Sequence, residues 1–332
     1  MIQDDFVFSQ QCLQRIQLST MKQREIIFYS EGTKMVGDIY LPDDYKESER
    51  RPGIIANSGW TGMNKVYPAM FSRQMTARGF VCMGFDYRGF KPSGGIGSMD
   101  KYTTLEMEVD DIGNAVTFFK HQPEVDAAHI ALIGWGVGGA VCIAAAHRDK
   151  TVKAVATLNS FTDGRRWMRM GMGNDKYYKM LRTLEEDKYK RVTTGDPVLR
   201  HPYEFYPNIE ESGDFYIDKT LKKLNGGVQD DIEKAYGEPF PTPMSSVIAE
   251  SFVRFNVQDI LPKLAPDCAV FVGHGKYNEL HDKEEAEDAY RLAKEPKQLY
   301  YVEGKHNKWM FDGDPKLDGL CDAMSEFFKA HI

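Results

Sequence analysis

The stretch ALIGWGVGGAV, residues 131–141, constrains this chain more than any other. An apolar run meets Gly134-Trp135-Gly136-Val137-Gly138-Gly139, and small apolar residues follow. The layout predicts a buried strand that enters a helix through a very tight turn. Only glycine adopts the strained backbone angles of such a turn freely.

The same strand-then-helix unit recurs on either side. REIIFYSEG and TKMVGDIYLPDDY predict a hairpin with Gly32 near its turn. RPGIIANSG, FVCMGFDYRG, HIALIGW, VKAVATLNS, CAVFVGHG and KQLYYVEG read as strands. Between them, Val66, Met70, Phe71 and Met75 share helical spacing, and so do Leu105, Val109, Ile112, Val116 and Phe119. A charged helix is expected from about Asp282 to Lys294, and a last one with Leu317, Leu320, Met324, Phe327 and Phe328 on one face. This alternation predicts an α/β fold: a mostly parallel central sheet covered by helices on both faces. Residues 161–250 break the alternation; they are aromatic, methionine-rich and punctuated by Pro and Gly. They read as a lid after the sixth strand, over the strand ends where open α/β sheets bind ligands. The expected division is an N-terminal arm (1–22), a core (23–160 and 251–332) and the lid (161–250).

Composition narrows the function. A net charge of −7 without a basic stripe argues against nucleic acid. No run of about 18 apolar residues offers a membrane span, and MIQDDFVFSQQC lacks the regions of a signal peptide. Five widely spaced cysteines predict reduced thiols in a cytoplasmic protein. Phe6, Phe8, Leu13 and Ile16 in the arm would pack on the body or on a second subunit, which makes a homodimer one expectation. No cluster has metal-ligand spacing, and the glycine turn follows the fifth strand instead of the first, so neither a metal nor a dinucleotide is expected.

GDIYLPDDY, FDYRGFKPSGG, ALIGWGVGGAV, VKAVATLNSFTDG, AYRLAKEPKQLYYVEGKH and FFKAHI together resemble the α/β-hydrolase superfamily. More narrowly, the chain resembles its dienelactone-hydrolase-like branch, with bacterial YcjY-type proteins and fungal polyketide transferases and hydrolases. The resemblance implies a G-x-S-x-G nucleophile turn, a late histidine and an acid. The nucleophile falls on Gly136 and the histidine on His306. The acid falls near Tyr277 and Asn278, where no Asp stands; Glu279 is the nearest carboxylate, Asp282 comes next, and Asp163 follows the sixth strand. An oxyanion hole would use the N–H of Val137 and that of Trp60 or Thr61.

Glycine cannot attack a carbonyl, and Cys142, six residues on, is about a turn and a half too far into the helix. Loss of a triad serine costs about 10⁶-fold, so ordinary acyl-enzyme hydrolysis is not expected. A polarising hole and a histidine base remain able to drive proton abstraction, elimination, isomerisation or cyclisation of an apolar carbonyl compound. The expected substrate is a polyketide-like ester, thioester or ketone. Trp135, Trp167, Met168, Tyr177, Tyr203 and Phe205 are the candidates to line its pocket. Two alternatives stand beside this: an ester or thioester hydrolase whose nucleophile at 136 has been replaced, and a ligand-binding protein without catalysis. His201 and His274 are further lone histidines near the expected cleft.

Overall fold

The computed structural model describes residues 21–59, 62–65, 67–95, 101–201, 204–205 and 243–332. The N-terminal arm up to residue 20 and the candidates Trp60, Thr61 and Tyr203 lie outside the described residues.

An eight-stranded sheet forms the centre. Its strands are β1 (Lys22–Ser30), β2 (Thr33–Leu41), β3 (Arg51–Asn57), β4 (Val81–Phe85), β5 (Val125–Trp135), β6 (Val152–Leu158), β9 (Ala269–Gly275) and β10 (Lys297–Val302). Their order is β1-β2-β4-β3-β5-β6-β9-β10. β1 and β2 form the antiparallel edge hairpin, β2 pairs antiparallel with β4, and the other pairings of this sheet are parallel. Glu31 and Gly32 both have positive φ, as a two-residue hairpin turn of matching twist requires. β7 (Leu199–Arg200) and β8 (Met244–Ser245) make a separate short ribbon.

The sheet is covered on both sides because neighbouring residues of its inner strands point to opposite cores. Ile55, Leu132, Val155 and Val270 pack with α2 (Leu105–Lys120) and α3 (Val137–Arg148). Ile54, Ile133, Ala156 and Phe271 pack with α1 (Pro68–Thr76) and with α8 (Pro315–His331). β4 and β9 are buried along their whole length.

After β6 the chain departs from the repeat into α4 (Gly164–Met172) and α5 (Asn174–Thr194), and it returns through α6 (Val247–Arg254). Ion pairs tie these pieces together: Arg200 to Asp187 at 2.5 Å, and Arg191 to Glu250. α7 (Lys283–Leu292) then precedes β10. No helix among the described residues is long and apolar enough to cross a membrane. Cys82, Cys142, Cys268 and Cys321 are free thiols, all buried.

The glycines around the turn differ in what they permit. A Cβ on Gly138 would lie 2.0 Å from the Ser58 carbonyl oxygen, and one on Gly134 would lie 2.2 Å from that of Gly138. These residues let α3 start hard against the ends of β3 and β5. Gly113, on α2, has no such neighbour within 4 Å. Urea unfolding should therefore separate the two classes. Gly138→Ala should lose at least about 2 kcal/mol to overpacking against backbone. Gly113→Ala should gain about 0.5–1 kcal/mol from helix propensity.

Candidate active site

Loops leaving β5, β6, β9 and β10 converge at the carboxyl end of the sheet. At the turn after β5, Gly136 has φ 55° and ψ −126° and forms the N-cap of α3. Its N–H donates to the Leu158 carbonyl at 2.8 Å, which fixes the turn to the end of β6. A Cβ built on Gly136 would meet no atom within 4 Å. Val137 is the buried first residue of α3, so its N–H belongs to the turn that no helical carbonyl can satisfy.

His306, in the loop after β10, is buried beside this turn, its ring 5.2 Å from that of Trp135. Two asparagines hold it. Asn159, at the end of β6 with φ 46°, donates from Nδ2 to the His306 carbonyl at 2.7 Å and accepts from the Gly275 N–H at 2.7 Å. Asn278 Oδ1 accepts from the N–H groups of Leu280 and His281, each at 3.0 Å. Those two donors fix which end of the amide is oxygen. The same Oδ1 lies 3.2 Å from Nδ1 of His306, so Nδ1 carries the proton and Nε2 is the basic nitrogen.

The carboxylates expected to orient the ring are placed differently. Glu279 Oε2 accepts from the backbone N–H of His306 at 2.9 Å. Asp163 Oδ1 caps α4 by accepting from the Arg166 N–H at 3.0 Å, and Asp163 pairs through its backbone with Asn256. Asp282 caps α7. An amide thus stands at the imidazole Nδ1. The amide preserves the tautomer but supplies no negative charge to stabilise an imidazolium.

Of the expected lining residues, Trp135 and Trp167 reach this centre through a run of rings. Phe161 stacks on Trp167 at 4.9 Å, Trp167 on His281 at 5.0 Å, and His281 on His306 at 5.2 Å. Trp167 Nε1 donates to the Leu280 carbonyl at 2.9 Å, which locks α4 to the loop after β9. Met168, Tyr177 and Phe205 are buried in the larger core, and the Tyr177 ring meets Tyr178 edge-on. A cavity of about 140 Å³ lies between α4 and the loop after β9, lined by Trp167, Met170, Gly171, Asn278, Glu279, Leu280, Asp282 and Glu285. Among the described residues, no group of three or more His, Cys, Asp or Glu side chains is arranged to hold a metal ion.

Sequence reasoning had not singled out Asn159 or His281, or given Asn278 a role. A positive-φ position just past a strand favours Asn, which is a faint signal for Asn159. His281 had none. It is fully buried, and neither ring nitrogen makes a hydrogen bond of good geometry, although the Ser160 backbone lies near.

Burial sets the charge state of the three histidines. Burial, and then the nearby His274, push His306 down to about 3. Burial takes His274 to about 4, against a bond from its Nε2–H to the His281 carbonyl at 3.1 Å. Burial, then His306 and His274, hold His281 well below the usual imidazole range. All three are neutral in the fold at pH 7. An unfolded imidazole takes up its proton near pH 6.5, so below that the unfolded chain binds more protons and stability falls with falling pH. Each histidine contributes about 1.4 kcal/mol per pH unit, between about 6.5 and its folded value. His281→Phe keeps the stack and removes one such group. Its stability, followed by urea unfolding, should fall less steeply on acidification than that of the wild type, by about one proton's worth.

Comparison with known proteins agrees with this architecture. The PA2218 protein of Pseudomonas aeruginosa, described as uncharacterized, is 25% identical over 320 residues, covering 94% of this chain and 81% of that one. Its crystal structure superposes with a TM-score of 0.77 over 95% of each chain. The polyketide transferase GrgF of a Penicillium species is 24% identical over 290 residues, 87% of this chain and 91% of its own, and its structure gives a TM-score of 0.72. The acyltransferase drtE of Aspergillus calidoustus is 20% identical over 290 residues, 86% of this chain and 88% of its own. The model of the X-Pro dipeptidyl-peptidase (S15) family matches residues 31–207, just over half of the sequence. With its mostly parallel sheet and its turn between β5 and α3, the chain belongs to that family of α/β hydrolases.

Proposed function

We propose that this protein acts on an apolar carbonyl compound, of the polyketide-like ester, thioester or ketone class, without forming an acyl-enzyme. The observation that carries the proposal is the backbone of Gly136. It holds the strained turn at φ 55° and ψ −126°, yet presents no atom that can attack. The similarity to a polyketide transferase and an acyltransferase supports the substrate class.

In this reading Val137 N–H, at the start of α3, polarises the substrate carbonyl, with a second donor from Trp60 or Thr61. His306 Nε2 takes or returns a proton at the carbon or oxygen beside that carbonyl. The neutral amide of Asn278 suits such a role. A serine protease-type mechanism passes through a full imidazolium and needs a carboxylate beside it. A proton shuttle to an enolate held by backbone N–H groups leaves less charge on the ring. The insertion at residues 161–250 would form the lid, with Trp167 as its contact to the loop that carries Asn278.

A second reading is a hydrolase whose nucleophile has been replaced by glycine. The open space above Gly136, where a Cβ meets nothing within 4 Å, favours it.

Single-turnover assays on a panel of β-keto thioesters and simple aryl esters would separate these. His306→Ala should abolish conversion of the keto compounds by about 10²–10⁴-fold, the usual range for a general acid or base. Unchanged conversion would remove His306 from the mechanism. Gly136→Ser should fit the open space but give little esterase activity, because Asn278 leaves the imidazolium unsupported. Gly136→Ser with Asn278→Asp should raise esterase activity well above that of the single variant. Strong esterase activity from Gly136→Ser alone would favour the replaced-nucleophile reading.

A further inference from the structure

A second cavity, of about 510 Å³, opens on the outer side of α4, bounded by Asp163, Arg165, Arg166, Arg169, Met170, Gly173 and Asn174. That volume is in the range of small-molecule sites. Most arginines of the described residues are spent in ion pairs, and Arg166 is one of them, bound to Glu285 at 2.6 Å and to Asp288 at 2.7 Å. Arg165 and Arg169 are different. They stand four residues apart, and so on one face of α4, exposed, and in no ion pair among the described residues. Arg169 is steadied by donating from Nε to Asn174 Oδ1 at 2.8 Å. Asp163, the one acid on the rim, already accepts from the Arg166 N–H at 3.0 Å.

Met170 belongs to the walls of both cavities. The inner one continues past Trp167 to Asn278, whose oxygen faces the His306 ring. The two differ in charge. The inner walls carry Glu279 and Asp282, and Glu285 in its pair with Arg166, beside the apolar surfaces of Trp167, Met170 and Leu280. An anion is repelled there and attracted outside, so an elongated molecule is oriented by its charge alone.

We infer that the face of α4 bearing Arg165 and Arg169 binds the anionic end, a phosphate or a carboxylate, of an elongated acyl compound whose neutral end faces Trp167 and Asn278. The placing of the neutral end rests on the reading of His306 given above; the anion site does not. Guanidinium groups recognise either anion through paired N–H donors.

Titration calorimetry at low ionic strength with unreactive probes tests this without any turnover. Octyl phosphate and monomethyl suberate carry the two anions, and octan-1-ol carries none. Arg165→Ala with Arg169→Ala should weaken at least one anionic probe by about tenfold or more, from the loss of two exposed charges. It should leave octan-1-ol unchanged, and the double lysine variant should recover part of the affinity. The probe that loses more identifies the anion. Equal affinity of both anions for wild type and the alanine variant, absence of saturable binding by either, or an equal loss for octan-1-ol would overturn the inference. If the arginine variant fails to weaken binding while His306→Ala abolishes turnover, the anion site falls and the proposed chemistry stands. The reverse result separates them the other way.

Discussion

The site depends on how closely a helix can begin against the end of a strand. Gly134, Gly138 and Gly139 leave no room for a Cβ between β5, α3 and the loops of β3 and β6. That contact brings the first N–H groups of α3 to the carboxyl edge of the sheet. Gly136 is not part of this steric need. It keeps the positive φ of the turn at no side-chain cost, and a Cβ there would meet no atom within 4 Å. Three glycines therefore build the close contact, and the fourth holds the positive φ of the turn.

The imidazole is set by a different kind of constraint. Asn278 spends its oxygen on two backbone N–H groups and on the ring, so neither the amide nor the tautomer can turn without breaking several bonds. Asn159 holds the loop from the other side. Around them Trp135, His281, Trp167 and Phe161 form a nearly continuous run of rings from the turn to α4. Such packing excludes water, which strengthens any polarising N–H but disfavours charge on the ring. In the proposed reading, the glycine at the turn and the amide at the imidazole act in one direction. Neither supplies what an imidazolium-forming mechanism requires, and both keep the turn and the tautomer.

The sequence made the sheet legible because its signals are strong and local. Fully apolar strands alternate with helices whose stripes, such as Leu105 to Phe119, are hard to misread. ALIGWGVGGAV announced its turn, and His306 could be placed from its position after the last strand. The partner of His306 could not. Glu279 and Asn278 are adjacent in sequence, and only the turn geometry decides that the carboxylate meets the backbone and the amide meets the ring. Asp163 is a further candidate in the sequence, and α4 takes it as a cap. His281 shows the same limit: a lone histidine in a loop carries no mark that it will be buried between a tryptophan and another histidine.

His281 also shows where the fold gives up stability. A buried imidazole with no well-formed hydrogen bond costs about 1–3 kcal/mol relative to one that is paired, and a phenyl ring would fill the same stack without that cost. Such a group persists where the polar atoms have some use. Its neighbours indicate what the use is. Trp167 belongs to α4, and His306 belongs to the loop after β10. His281 therefore joins α4 to the loop of His306 through stacked rings. One buried ring thus joins the packing of α4 to the packing around His306.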